Sequence, residues 1–286
     1  MVIGELIEIG ISILGDMDYT NTKLEARLIL SKLLNVDKSY IYAHEDMEIN
    51  QSVEEEFIRI MKKRATGYPI QYILKEREFM GLDFHVDEGV LIPRPDTETL
   101  VEYLIDYINE NYKNENIRLL DLGLGSGAIG LSIAHYCKNV TVYGSDISPK
   151  AIEVSNWNKE RFKLKNVKIL EGNLFQPIKD MKNSFEIIVS NPPYIESDQI
   201  KGLQTEVKDY EPLQALDGGG DGLEFYREIS RQAKVFLKNT GLLIYEIGHN
   251  QAKEVSHILD KEAYDHIEII KDLNGKDRVV LGKRGG

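Results

Sequence analysis

From Asp96 to the end of the chain, short apolar runs alternate with segments whose apolar residues recur at helical spacing, and no other feature constrains the fold as tightly. The strand-like runs fall at 118–122, 140–144, 167–170, 186–190, 242–247, 267–270 and 278–281. Helical periodicity lies between them, near 128–136, 149–162, 223–237 and 251–259, and is preceded by a helix whose apolar face is Leu100, Val101, Leu104, Ile105 and Ile108. Ser148 before Pro149 is a strong start signal, because a serine hydroxyl caps free N–H groups and proline suits the first helical position. Strands separated by helices must pair in parallel through crossovers, so an open α/β sheet is expected. Asn274-Gly275 between the last two runs is a hairpin signal, which reverses the final strand against its neighbour.

The first part of the chain reads differently. Leu6, Ile7, Ile11 and Leu14 share one helical face, Thr22 and Glu25 have capping-box spacing ahead of Leu24, Leu28 and Leu33, and Ser52 with Glu55 repeats the signal before Phe57, Ile60, Met61 and Arg64. Phe79 to Val86 alternates around Gly81, with a second short run at Val90 to Ile92, and reads as a β-hairpin linker. A chain of 286 residues is long for one core. The boundaries expected are a helical substrate-docking domain at 1–76, the hairpin linker at 77–95 and a catalytic domain at 96–286.

Lys and Arg total 35 against 47 Asp and Glu, a net charge of −12, which argues against a surface that follows a nucleic-acid backbone. A single cysteine, Cys137, rules out an internal disulfide and a cysteine-rich metal cage, so no metal is expected. No apolar run has the length of a membrane span, and Met1-Val2-Ile3-Gly4-Glu5 lacks the basic start of a secretory signal. A cytoplasmic location is the resulting expectation.

Directly after the run 186–190 comes Asn191-Pro192-Pro193-Tyr194, at the carboxyl end of a strand, where open α/β sheets bind ligands. Prolines fix φ and lack N–H groups, so the Asn191 side-chain oxygen and the Pro192 carbonyl can both face one planar nitrogen as acceptors while Tyr194 covers it. This suits an amide or exocyclic amine. Asp121-Leu-Gly123-Leu124-Gly125-Ser126-Gly127 follows the first strand and opens a helix, so its glycines let a ligand approach the backbone and the helix start supplies donors. Gly125 to Gly130 also fits the dinucleotide fingerprint, and Asp146, 23 residues after Gly123, could accept ribose hydroxyls in either cofactor class. Asp121 ahead of the first glycine, together with an amine-gripping tetrapeptide, favours S-adenosyl-L-methionine. Asn173 and Leu174, after the third strand, stand where an adenine ring would lie.

Taken together, these segments resemble the peptide chain release factor glutamine methyltransferases, the PrmC/HemK family. The likeness extends through Gln71-Tyr72, Phe79 to Leu82, Leu91 to Glu98, Asp121 to Ile129, Asp146 to Pro149, Asn191 to Tyr194, Glu211 to Leu216, Gly219 to Leu223, Glu246 to Gly248 and Asp277-Arg278. It implies a Rossmann-like, seven-stranded S-adenosylmethionine-dependent methyltransferase domain with a small N-terminal helical bundle. It also implies methylation of the glutamine side-chain nitrogen in the Gly-Gly-Gln loop of release factors, giving N5-methylglutamine. By the resemblance Gly123, Leu124, Gly125, Ser126, Gly127, Asp146 and Leu174 contact the cofactor, and Asn173 and Asn191 join them. Asn191, Pro192, Pro193 and Tyr194 hold the substrate, with Asn191, Pro192 and Tyr194 as the catalytic set. The partner is a protein rather than nucleic acid or membrane, and the enzyme a monomer. Leu124 stands where relatives commonly have threonine, and Leu174 where many carry an aromatic ring. Glu211, Asp217 and Asp221 could frame the entrance, and His85, His135 and His249 receive no role.

Overall fold

The computed structural model describes residues 1–15 and 20–285. Its elements in chain order are helices α1 (Ile3–Leu14), α2 (Thr22–Leu34), α3 (Lys38–Ala43), α4 (Gln51–Ala65) and α5 (Ile70–Leu74), then strands β1 (Glu76–Phe79) and β2 (Leu82–His85). There follow α6 (Glu98–Asn111), β3 (Ile117–Leu122), α7 (Ala128–Tyr136), β4 (Val140–Asp146), α8 (Pro149–Arg161), β5 (Val167–Glu171), β6 (Phe185–Ser190) and the single turn α9 (Thr205–Lys208). The chain closes with α10 (Glu224–Phe236), β7 (Leu237–Glu246), α11 (Ala252–Lys261), β8 (Tyr264–Lys271) and β9 (Asp277–Arg284). These group into two compact units, residues 1–76 with 204–210, and residues 77–203 with 211–286.

In the first unit Ile3, Leu6 and Ile7 of α1, Ala26, Ile29 and Leu30 of α2 and Phe57 and Met61 of α4 form one buried apolar cluster. The caps differ from those the spacing predicts: Asn21 Oδ1 accepts from the Leu24 N–H at 2.9 Å, and Asn50 Oδ1 from the Val53 N–H at 2.9 Å. In each case an asparagine upstream of the expected Thr22 or Ser52 does the capping, because its amide oxygen reaches the same free N–H groups. Arg64, on the apolar face of α4, is buried because Glu25 takes two of its N–H groups, at 2.7 and 3.1 Å, and Glu206 lies 2.5 Å from Nη2. The Tyr210 hydroxyl adds a 2.8 Å hydrogen bond to Thr66 Oγ1. Residues 204–210 thus join the helices through charge and hydroxyl contacts, which apolar periodicity does not register.

The second unit holds the hairpin β1–β2, which turns at Met80-Gly81, and a seven-stranded sheet in the order β5-β4-β3-β6-β7-β9-β8. Val90 to Ile92 forms no strand. Neighbours from β5 through β7 run parallel, and β9 is antiparallel to both β7 and β8. Alternate residues serve the two faces: Leu119, Val142, Ile187 and Leu242 pack with α6 and α7, whereas Leu120, Ile188, Leu243 and Val280 pack with α10 and α11. The chain moves outward from β3 through β4 to β5 and then returns to place β6 on the other side of β3, which opens a crevice at the carboxyl ends of β3 and β6. Register aligns those ends, since Leu122 pairs with Ser145 on one side and with Ser190 on the other, and Ser190 pairs with Tyr245. The residues that follow these register partners therefore stand in a row: Gly123, Asp146, Asn191 and Glu246. Among the described residues no helix is long and apolar enough to cross a membrane.

Candidate functional site

A cavity of about 360 Å³ opens along this row. Gly123, Leu124, Gly125, Ser126, Asp146, Asn173, Leu174, Asn191, Pro192 and Pro193 all contribute to its wall, so most of the residues singled out in the sequence converge on one hollow. Gly123 adopts φ +74°, and a Cβ added there would meet nothing within 4 Å, so its bare backbone faces open space. The Asp146 carboxylate accepts from the Gly125 N–H at 2.8 Å with one oxygen and from the Ser148 N–H at 2.9 Å with the other, which ties the glycine turn to the start of α8. Burial raises the Asp146 carboxyl, and those N–H groups pull it back toward the ionised form. Leu174, at φ +45°, is held by the Ser145 hydroxyl, which donates to its carbonyl at 3.0 Å.

The wall does not include Gly127 or Tyr194. Gly127 caps α7 at φ +87°, and a Cβ there would lie 2.6 Å from Leu131, so the glycine serves the packing of the turn. Tyr194 packs against the buried cluster on the α10 and α11 face, and its carbonyl accepts from Gln251 Nε2 at 2.9 Å. Burial pushes its hydroxyl up to about 12. The tetrapeptide is pinned by Gln251 and by the Ile195 N–H donating to the Leu216 carbonyl at 3.0 Å.

A buried carboxylate stands just ahead of the glycine turn. Asp121 Oδ2 accepts from the Gly130 N–H at 2.8 Å, and burial drives this carboxyl up to about 7. Leu124 turns its side chain inward over Gly144, where a Cβ would stand 2.7 Å from both of its methyls.

Several contributors escape the motifs. Asn158 is fully buried on α8, where Oδ1 accepts from the His85 N–H at 2.7 Å and Nδ2 donates to the carbonyls of His85 and Ser126, both at 2.9 Å. The available signal is a polar residue on the small-residue face formed by Ala151, Val154 and Ser155. Glu211 is buried and paired with Arg94, and it accepts from the Ile92 N–H. That clasp joins two wall segments, 89–94 and 212–215. Asp217 accepts from the Ser197 hydroxyl and the Gly219 N–H, and Asp221 pairs with Arg227, so the acidic residues expected at an entrance are engaged internally. No histidine lines the cavity.

The chemistry of the wall decides what it can hold. The Asn191 oxygen is buried with no hydrogen-bond partner among the described residues, while glycine backbone, the Asp146 carboxylate and apolar Leu174 lie along the same hollow. An acceptor left open in this way can take a hydrogen-bond donor from outside the chain.

Residues 5–74 match the family model described as the PrmC N-terminal domain, and residues 95–208 match the methyltransferase small domain. A release factor glutamine methyltransferase of Clostridium acetobutylicum is 48% identical over 92% of this chain and 91% of its own length. This chain belongs to the release factor glutamine methyltransferase family. Another member, from Clostridium botulinum, is 38% identical across 99% of the chain and 100% of its own length. The crystal structure of a methyltransferase from Pyrococcus furiosus, 18% identical with a TM-score of 0.52 over 72% of this chain and 91% of its own, shares the fold.

Proposed function

We propose that this enzyme transfers a methyl group from S-adenosyl-L-methionine to the side-chain amide nitrogen of the glutamine in the Gly-Gly-Gln loop of peptide chain release factors, giving N5-methylglutamine. The observation that carries this reading is the unpartnered Asn191 oxygen beside the Pro192 backbone at the edge of the glycine-lined hollow. Gly123 to Ser126, Asp146, Asn173 and Leu174 hold the cofactor. Asp146 accepts the ribose hydroxyls and Leu174 packs on the adenine. When bound, the cofactor supplies an electrophilic methyl on a sulfonium.

The chain's own task is to make a poor nucleophile competent. An amide lone pair is committed to resonance, as the ~18–20 kcal/mol rotation barrier of such C–N bonds shows. Asn191 Oδ1 and the Pro192 carbonyl accept the two N–H bonds of the glutamine carboxamide, and so turn its nitrogen toward the methyl donor. Alignment of this kind contributes roughly 7–11 kcal/mol in well-oriented systems. The partial negative charge of the two acceptors stabilises the nitrogen as it becomes positive, and one of its two protons then leaves to water to give the neutral N-methyl amide. Gln251 holds the tetrapeptide in place through the Tyr194 carbonyl. The helical unit docks the release factor, which raises the effective concentration of its loop at the cavity. The enzyme acts as a cytoplasmic monomer on a protein, not on nucleic acid or membrane.

Mass spectrometry of a purified release factor after incubation with the protein and S-adenosyl-L-methionine tests this reading. One added methyl on the glutamine of the Gly-Gly-Gln loop is expected. Methyl transfer to nucleic acid in its place would overturn the reading.

A further inference from the structure

An asparagine side chain can present either its oxygen or its NH2 to a ligand, and the choice depends on what holds the other end. Ser190 and Tyr245 are register partners on parallel neighbours, so Asn191 and Glu246 leave their strands side by side. Glu246 is 1% exposed, its Oε2 has no hydrogen-bond partner among the described residues, and the Thr97 and Asn191 side chains act on its carboxyl as donors that favour the ionised form. Because Asn191 Oδ1 has no partner among the described residues, the group that it offers to Glu246 is Nδ2.

We propose that Glu246 is a positioning residue, whose carboxylate takes the Asn191 Nδ2–H and thereby fixes the amide with Oδ1 toward the cavity as an acceptor for the substrate nitrogen. The inference deepens the reading of the site given above and rests on it. An ionised carboxylate only accepts, so it permits one orientation of the asparagine amide, whereas a neutral glutamine or a protonated acid could donate to Oδ1 and permit the other. Apolar packing would tolerate a leucine at this position without burying a charge, yet the chain places a carboxyl there.

The same geometry makes the orientation titratable. Burial pushes Glu246 up to about 7, Thr97, Arg278 and Asn191 lower it, and Asp96 raises it. Arg278 is itself engaged with Asp96 at 2.7 Å and with Asp272 at 3.5 Å. The other titratable groups in its field are the hydroxyls of Tyr194 and Tyr226, both held protonated by burial. Above neutrality the carboxylate is ionised and Oδ1 is fixed. As pH falls through about 7 the proton returns and the amide is released.

The test uses the full chain, wild type and Glu246→Gln, in two measurements. In the ligand-free protein labelled with 15N-asparagine, the Asn191 side-chain resonance should shift between about pH 5 and about pH 9 in the wild type and stay still in Glu246→Gln. In steady-state methylation of a release factor, Glu246→Gln should lower kcat by about 10- to 100-fold, with KM and cofactor affinity within about threefold. Thr97→Val, which removes a donor that favours the ionised form, should move the titration of the Asn191 resonance to higher pH. An Asn191 signal indifferent to pH, or a Glu246→Gln enzyme with wild-type kcat, would overturn the assignment. A drop in kcat matched by loss of folding or of cofactor binding would do the same. If the wild type itself leaves the glutamine unmethylated, the proposed function fails, a result distinct from an active wild type with an equally active Glu246→Gln variant.

Discussion

Asn158 offers the most demanding test of how the cavity is built. Replacing it by leucine keeps the volume and leaves three backbone groups without their present partner: the N–H and carbonyl of His85 and the carbonyl of Ser126. A buried polar group stripped of its partner costs about 1–3 kcal/mol, so even at the low end three such groups amount to about 3 kcal/mol. In a domain of this size each kcal/mol lowers the unfolding midpoint by about 2–4 °C, giving an expected fall of about 6–12 °C. Ser126 belongs to the turn whose Gly125 N–H is held by Asp146, so loss of the Ser126 contact should also weaken S-adenosyl-L-methionine binding, by about tenfold. Thermal unfolding followed by circular dichroism, together with calorimetric titration of the cofactor, measures both effects. Asn158→Asp should be at least as damaging, because it keeps the acceptor for His85 N–H but turns an oxygen toward two carbonyls. A midpoint within about 2 °C of wild type with unchanged cofactor affinity would refute the reasoning.

Gly144→Ala places a methyl 2.7 Å from both Leu124 methyls, so it should cost about 1–3 kcal/mol and loosen cofactor binding, and adding Leu124→Ala should recover much of the stability, as read by thermal melts. Arg64→Met leaves Glu25 and Glu206 facing each other without a cation, with a cost of about 3–5 kcal/mol, and hydrogen exchange should show faster opening of residues 204–210. Asp121 is raised to about 7 in the folded chain from an ordinary carboxylate value of 3.8, so the folded state binds a proton that the unfolded state has released. Its contribution to stability should therefore fall as pH rises from about 4 to about 7, and Asp121→Asn should remove that part of the midpoint's pH dependence, whereas an unchanged dependence would contradict it.

The sheet is legible because its central strands bury both faces and read as continuous apolar runs, and the helices because their apolar stripes and the Ser148 cap are local signals. Register, which places Asn191 between Asp146 and Glu246, follows from strand order and needs the fold. The tetrapeptide and glycine turn were visible from residue type and position after a strand. What stayed hidden depends on distant partners: Arg64 is buried only because Glu25 and Glu206 meet it, and Glu211 leaves the acidic rim because Arg94 claims it. Capping by Asn21 and Asn50 was missed because serine and threonine at nearby positions carry the same signal. Tyr194 reads as a lid in the motif; its ring packs against the cluster of α10 and α11, and its carbonyl is tied to Gln251, a partner that no local pattern announces.

The central claim is that the Asn191 oxygen grips the carboxamide NH2. Single-turnover transfer of labelled methyl to a purified release factor by Asn191→Ala, with cofactor affinity measured on the same preparation, tests it most directly. Transfer should fall by about 100- to 1000-fold or more while cofactor affinity stays within a few fold. Transfer within about tenfold of wild type, or a loss of cofactor affinity that accounts for the whole effect, would contradict it.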